Sequence, residues 1–299
     1  MSESILAQEL RRVFPALPLK ENEPMKAHCS FRIGGPAELF AEPGSAEELR
    51  ALLAFLRARG VPVTVIGNGT NLLVHDEGIR GVVVRLGERF ASVRRDGDAL
   101  IADAGVTLAR LATAAKEQGL AGLEFAHGIP GSLGGAVMMN AGAYGGEMKD
   151  VVASVHYLDA DGEIRETAEP GFSYRHSRFA GTGEVILGAA VRLAPDDPAA
   201  IHARMMELWA KRSASQPLDR PSAGSTFKRP AGGYAAAMID GAGLRGLTVG
   251  GAQVSEKHAG FVINTGDASF ADVTALMARI RTAVQEKYGV LLEPEVRIL

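Results

Sequence analysis

Three short stretches combine residue types that stabilise or protonate a reactive group. SYRHSRF (173–179) sets Arg175, a permanent cation, between Tyr174 and His176. GSTFKRP (224–230) places Ser225 directly after a glycine and ahead of Lys228 and Arg229. LEPEVRIL (292–299) carries Glu295 in an apolar setting, and burial there would raise its carboxyl pKa. Each has an ordinary alternative when taken alone: a strand edge with a basic residue, a surface turn and an exposed strand residue.

Two glycine-rich stretches suit ligand binding by backbone. GNGTN (67–71) contains no Lys or Arg, so an anion held there would need successive N–H groups arranged as a nest, with Asn68, Thr70 and Asn71 adding neutral donors. It is not a Walker loop, because no Lys follows. Nor is it a dinucleotide-binding turn, because Asn71-Leu72-Leu73-Val74 continues as strand. The alternative is a tight β-turn. GIPGSLGGAVMMNAGAYGGE (128–147) is no solvated linker, since Ile129, Leu133, Val137, Met138 and Met139 require burial. A buried irregular segment must satisfy its backbone on something, and a planar cofactor rich in acceptors would serve; a self-packed Ω-loop is the alternative.

The elements that must position these residues read as mixed α and β. Residues 1–14 form a short amphipathic helix. Residues 44–60 form a second, with Ser45 as cap, Glu48 three residues on and Gly60 as stop. Strands follow at 61–66, 71–74, 78–86 and 98–105, then a helix over 107–119 capped by Thr107 and stopped by Gly119. Residues 123–147 are expected to be irregular over most of their length. Residues 152–166 read as a hairpin about an Asp-Gly turn and 183–195 as a strand. A helix over 196–212 marks the domain boundary. Beyond it lie the helix YAAAMIDGAG, alternating strands within 247–266, a long helix over 269–289 and a terminal strand. No internal repeat is evident. The fold class is α+β.

Composition narrows the function. The 299 residues are 46 % apolar and 22 % charged, and 32 Lys and Arg against 35 Asp and Glu leave a formal charge of −3. That balance favours neither nucleic acid nor an anionic membrane as partner. No apolar run approaches the roughly 20 residues of a membrane span, and the N-terminus lacks a signal-peptide core, so a cytoplasmic location is expected. A single cysteine, Cys29, excludes an internal disulfide framework and a cysteine-rich metal site. The 36 glycines, about 12 % against a typical ~7 %, are the informative excess.

In order along the chain, HCSFRIGGPAEL (28–39), IGNGTNLLV (66–74), GIPGSLGGAVMMNAGAYGGE (128–147), YRHSRF (174–179), AGSTFKRP (223–230), GGAQVSEKHAGFVIN (250–264) and LEPEVRIL (292–299) resemble the UDP-N-acetylenolpyruvoylglucosamine reductase (MurB) family over nearly the whole length. With no tyrosine-bearing insertion between Phe179 and Trp209, the chain resembles the shorter, type II subgroup.

The resemblance implies a vanillyl-alcohol-oxidase/PCMH-type FAD-binding domain of two α+β subdomains over 21–197. A helical segment (1–20) precedes it, and a C-terminal MurB-type α+β substrate domain (198–299) follows. It implies non-covalent FAD, held by Gly67, Asn68, Gly69, Thr70, Asn71 and Leu72 around the pyrophosphate and by Pro130, Gly131, Ser132, Gly134, Gly135 and Ala136 along the rest of the flavin. NADPH would reduce the flavin, and UDP-N-acetylglucosamine enolpyruvate would reoxidise it to give UDP-N-acetylmuramate for peptidoglycan. By the same resemblance Ser225 donates the proton, while Arg175 and Glu295 stabilise the enol. Lys228 and Arg229, where many relatives carry Asn at the second position, are expected to face the diphosphate. Asn140, Tyr144, Gln253 and His258 are expected in the substrate pocket, and no metal is expected. Cys29 is expected to be structural. Two alternatives keep the flavin: a sugar or alcohol oxidase, and a binding module without turnover. An oxidase has no need of the Ser225, Arg175 and Glu295 set.

Overall fold

The structure, a computed structural model, describes residues 4–299. Its chain divides into two compact units, each assembled from separate stretches. The first comprises the chain up to Asn22, Glu38–Asn68 and Arg80–Lys211; the second comprises Glu23–Ala37, Gly69–Ile79 and Arg212–Leu299.

The first unit is built on two sheets. One has four strands in the order Leu19–Pro24, Pro36–Ala41, Ile79–Arg85, Val63–Ile66, with the last two parallel. The other is antiparallel, in the order Ile164–Thr167, Val152–Leu158, Val185–Arg192, Ala99–Asp103, Val93–Asp96. Helices α1 (Ile5–Val13), α2 (Ala46–Arg57), α3 (Leu108–Glu117), α4 (Leu133–Met138) and most of α5 (Pro198–Ser215) belong to this unit.

Local chemistry accounts for the α2 boundaries. Ser45 Oγ accepts from Glu48 N, and the Glu48 carboxylate accepts from Gly44 N at 2.7 Å. The acidic side chain therefore reaches one residue further back than a reciprocal capping box would place it. Leu49, Leu52 and Leu56, spaced for one helix face, are fully buried. The same logic sets α3, where Thr107 Oγ1 accepts from Arg110 N and Leu108, Leu111, Ala112 and Ala115 are buried.

The second unit is an antiparallel sheet in the order Ser222–Ser225, Phe261–Asn264, Ala252–Val254, Thr248–Val249, with α6 (Ala235–Gly241) and α7 (Phe270–Tyr288). Helix α7 opens with a full capping box between Ser269 and Asp272 and ends at Gly289 in the left-handed region. It buries Val273, Leu276, Met277, Ile280 and Val284 in a core shared with Phe31, Leu73, Ala252, Val254 and Val262.

Several sequence expectations need correction. Residues 123–147 hold more regular structure than their glycines suggest: α4 and a two-by-two hairpin of Gly142–Ala143 with Gly146–Glu147. The terminal strand shrinks to Arg297–Ile298, which pairs in parallel with Leu72–Leu73. Strands Leu19–Pro24, Pro36–Ala41 and Val93–Asp96 escaped notice, because their partners lie far away in sequence or their composition is polar. Ser225, within the segment whose alternative was a surface turn, ends the strand Ser222–Ser225. Of the N-terminal helix, Met1 to Glu3 lie outside the described residues. Among the described residues no helix is long and apolar enough to cross a membrane, and no group of three or more His, Cys, Asp or Glu stands ready to hold a metal ion.

Candidate functional site

In the first unit, two glycine-containing segments approach each other. Gly67 follows the strand Val63–Ile66, and a Cβ built on it would lie only 2.3 Å from Ser132 Oγ. Ser132 is 2 % exposed and its hydroxyl has no hydrogen-bond partner in the protein. An unpaired buried hydroxyl costs on the order of 1–3 kcal/mol, so this one fits a polar group supplied from outside the chain. The backbone around it is already committed. Leu108 N donates to Gly131 O at 3.0 Å, Leu133 N to Val106 O at 2.8 Å and Gly134 N to Ala104 O at 2.8 Å. Gly134 thus packs against Ala104, whose Cβ lies 2.8 Å from where a side chain would begin. Ala136 is buried on α4.

The end of the same segment supports Arg175. Asn140 is 1 % exposed with φ +45°, and its amide is fully engaged: Nδ2 donates to Glu147 Oε2 at 2.8 Å and to Ser173 O at 3.1 Å, while Oδ1 accepts from Lys149 N at 2.9 Å. Glu147 also meets Lys149 Nζ at 2.9 Å. That Lys149 contact, then Asn140 and the charge of Arg175, hold its carboxyl below the ordinary range. Residues 173–176 form a tight turn in which Ser173 and His176 exchange backbone hydrogen bonds of 3.0 and 3.2 Å. Arg175 sits in it at φ +55°, with its guanidinium 5.2 Å from the ring centre of half-exposed Tyr174. Tyr144, at φ +53°, is 46 % exposed.

The second unit gathers the rest of the loop with the C-terminal residues. Gly69 has φ +64°, and a Cβ there would fall 2.0 Å from His28 O; any other residue would both strain the turn and collide with backbone. Ser30 braces this turn: its N donates to Gly69 O at 3.2 Å, and its Oγ lies 3.3 Å from Thr70 O and 2.6 Å from Ser222 O. Asn71 Nδ2 donates to Glu295 O at 3.0 Å, and Arg297 N donates to Asn71 O at 2.9 Å. Leu72 is buried in the parallel pair.

Ser225 and Glu295, 70 positions apart, come onto adjacent backbone segments. An isolated antiparallel bridge joins Phe227 to Pro294; Glu295 N donates to Thr226 O at 2.8 Å and Lys228 N to Glu293 O at 2.9 Å. Ser225 itself pairs with Phe261 after a register shift from Ser222, a bulge that re-aims the strand end. Ser225 and Glu295 are both partly exposed. Lys228 is ion-paired to Glu293, and the Arg229 guanidinium lies 4.2 Å from the ring centre of Tyr234. Gln253 Nε2 lies 3.4 Å from Gly246 O and 3.3 Å from Thr248 Oγ1. His258 accepts from Gly260 N through Nδ1, and burial pushes its pKa down. Cys29 is buried, donates to Ile33 O and has its thiol pKa raised by burial, as a structural cysteine should. Among the predicted residues, the structure therefore joins Ser225, Glu295 and Asn71 in one unit; Arg175, Ser132 and Gly67 belong to the other.

Ser30 is not apparent from the sequence as a brace of this turn, although it lies within the HCSFRIGGPAEL segment. A small hydroxyl residue shortly before the Gly34-Gly35 pair was the available signal.

Residues 37–168 match the FAD binding domain family, and residues 216–299 match the UDP-N-acetylenolpyruvoylglucosamine reductase C-terminal domain. The UDP-N-acetylenolpyruvoylglucosamine reductase of Caldanaerobacter subterraneus subsp. tengcongensis is 50 % identical over 297 residues, covering 99 % of this chain and 98 % of that one. The chain belongs to the UDP-N-acetylenolpyruvoylglucosamine reductase family. The Clostridioides difficile reductase of this family is 47 % identical over 283 residues, covering 94 % and 93 %. The crystal structure of the MurB reductase from Thermus caldophilus superposes with a TM-score of 0.81 at 37 % identity, covering 94 % of this chain and 98 % of that one. Membership in the reductase family carries FAD as cofactor and the two-part α+β architecture. The buried Ser132 hydroxyl and the space left by Gly67 are the features of the first unit that fit that cofactor.

Proposed function

We propose that this chain reduces UDP-N-acetylglucosamine enolpyruvate to UDP-N-acetylmuramate with electrons from NADPH. The observation that carries the residue assignment is the Phe227–Pro294 bridge, which sets the strand end bearing Ser225 beside the segment bearing Glu295. FAD, when bound, supplies a two-electron carrier between the two substrates. Gly67, Asn68, Gly69, Thr70, Asn71 and Leu72, with Pro130, Gly131, Ser132, Gly134, Gly135 and Ala136, are the residues we assign to holding it, Ser132 with its spare hydroxyl and Gly67 by giving room.

The side-chain chemistry follows from the charge that the reaction creates. Hydride addition at the terminal carbon of the enolpyruvyl group leaves negative charge beside the substrate carboxylate. Arg175, permanently cationic, offsets that charge, and Glu295, in its protonated form, would donate a hydrogen bond to the enol oxygen. Ser225 then delivers a proton to the carbon next to the carboxylate. Lys228 is the cation nearest Ser225 in sequence, and its pairing with Glu293 offsets the field it lends to the hydroxyl. Lys228, Arg229, Tyr144, Gln253 and His258 are assigned to the nucleotide-sugar substrate. We divide the chain at about residue 198, with a flavin-binding part before it that also lends Tyr144 and Arg175 to the substrate and a substrate-binding part after it, and place the enzyme in the cytoplasm, where NADPH is available.

The test separates the two half-reactions. Under anaerobic conditions the holoprotein should bleach with NADPH and recover its yellow colour on addition of UDP-N-acetylglucosamine enolpyruvate. Ser225→Ala should bleach at close to the parent rate but recover about 10²-fold or more slowly, the scale of a lost proton donor. Equal slowing of both halves would remove Ser225 from the role of proton donor.

A further inference from the structure

Arg175 is held in a conformation that an arginine rarely adopts, and the contacts that hold it come from the end of the glycine-rich segment. At φ +55° it occupies the left-handed region, which costs a non-glycine residue about 1–2 kcal/mol. Such a residue persists only where its surroundings over-determine it. Here both ends of its turn are anchored to one short stretch. Asn140 Nδ2 donates to Ser173 O at the start of the turn, and Ser177 Oγ donates to Met138 O at 2.8 Å just past its end. Both anchoring side chains are almost completely buried, Asn140 at 1 % and Ser177 at 0 % exposure. Asn140 is in turn fixed by Glu147 and by Lys149 N, and it too is left-handed, at φ +45°. With both amide hydrogens and the amide oxygen spent inside the protein, Asn140 is equipped to build the turn rather than to grip a ligand.

We infer that Asn140 and Ser177 are positioning residues for the reductase reaction: they clamp the 173–177 turn to the flavin-side segment and so fix where the Arg175 guanidinium points. The inference rests on the reading of Arg175 as the group that stabilises the enol. It assigns Asn140 a function through Arg175 instead of the direct substrate contact expected from the motif. A guanidinium on a long side chain stabilises a developing charge only if its base is held still, and misplacement by about 1 Å costs on the order of 10²-fold. The Glu147 carboxylate adds an electrostatic component, since the charge of Arg175 contributes to holding it ionised.

The experiment uses holoenzyme variants in anaerobic stopped flow, with flavin absorbance read in both half-reactions. Asn140→Gly deletes the amide and tolerates the left-handed backbone; Ser177→Ala deletes only a hydroxyl and serves if the first variant folds poorly. Reoxidation by UDP-N-acetylglucosamine enolpyruvate should slow roughly 10- to 100-fold in Asn140→Gly, and less in Ser177→Ala. Reduction by NADPH should stay within about threefold of the parent, a split that a generally loosened protein would not show. In an Arg175→Lys background, adding Asn140→Gly should slow reoxidation little further, because the group being positioned is already impaired. Parent-like reoxidation in both single variants, alongside a slow Arg175→Lys, would overturn the clamp while leaving the role of Arg175 standing. Equal loss in both half-reactions, or full additivity with Arg175→Lys, would also overturn it. A parent-like Arg175→Lys would instead remove the underlying assignment of Arg175, and the clamp with it.

Discussion

Gly67 and Ser132 divide one small space between them, and the division makes opposite-signed effects measurable. Ser132→Ala removes a buried hydroxyl with no protein partner. The apoprotein should become more stable, by about 1 kcal/mol in chemical denaturation, while FAD affinity should fall if, as proposed, this hydroxyl serves the cofactor. Gly67→Ala puts a methyl 2.3 Å from Ser132 Oγ and should weaken flavin binding strongly. In the double variant the new methyl meets only Ser132 Cβ, at 3.5 Å, ordinary contact, so apoprotein stability should recover most of what Gly67→Ala loses. Equal destabilisation in Gly67→Ala and in the double variant would show that the collision lies elsewhere. At this scale the sequence was readable for residue types and silent on roles. Ser132 stood within a recognisable motif, yet nothing in a string of letters shows that its hydroxyl lacks a partner. Asn140 has its partners at positions 147, 149 and 173, and no local pattern announces that combination.

Helices were legible where their signals are local, and sheets were not where pairing is remote. Ser45, Thr107 and Ser269 each cap the helix that follows, and in each case the cue lies within three residues of the boundary. The second unit depends heavily on α7, whose first turn is held by Ser269 and Asp272 and by Asp76, which accepts from Phe270 N through both carboxylate oxygens at 3.1 Å. Ser269→Ala should therefore cost about 1 kcal/mol, at the middle of the range for lost caps, seen as a lower denaturant midpoint with unchanged slope. No change in midpoint would mean that Asp76 alone suffices. By contrast, Leu72–Leu73 finds its partner at Arg297–Ile298, and Phe31 O is capped by Asn264 Nδ2 at 3.1 Å. Separations of 225 and 233 positions leave no periodicity to read.

Across the whole molecule, acid is expected to act through one histidine in each unit. Burial lowers the pKa of His127 in the first, aided by Lys116 and His202, and burial lowers that of His258 in the second. Unfolding exposes both rings and returns them towards the ordinary 6.5, so between the folded and unfolded values the unfolded chain binds more protons. Their contribution is thus complete above about pH 6.5 and is lost as pH falls through the folded values. Protonated His258 also forfeits the acceptor that Nδ1 offers Gly260 N. Thermal melting of the apoprotein should fall between pH 7 and pH 5, and the fall should shrink in a His127→Gln/His258→Gln double variant. Superimposable melting curves across that range would assign the acid sensitivity to other groups. Family membership was legible at this scale because seven motifs keep their order. The division into units was not, since Glu23–Ala37 and Gly69–Ile79 join a unit otherwise formed by Arg212–Leu299.

The pairing of Leu72–Leu73 with Arg297–Ile298, continued by His75 N to Leu299 O at 2.8 Å, has a consequence for biogenesis. A ribosome translates the GNGTN loop more than 200 codons before it translates the strand that steadies it. The nascent chain must therefore carry that loop without this neighbour for all of the intervening synthesis, so the register of Leu72–Leu73 is settled late, after most of both units has already emerged.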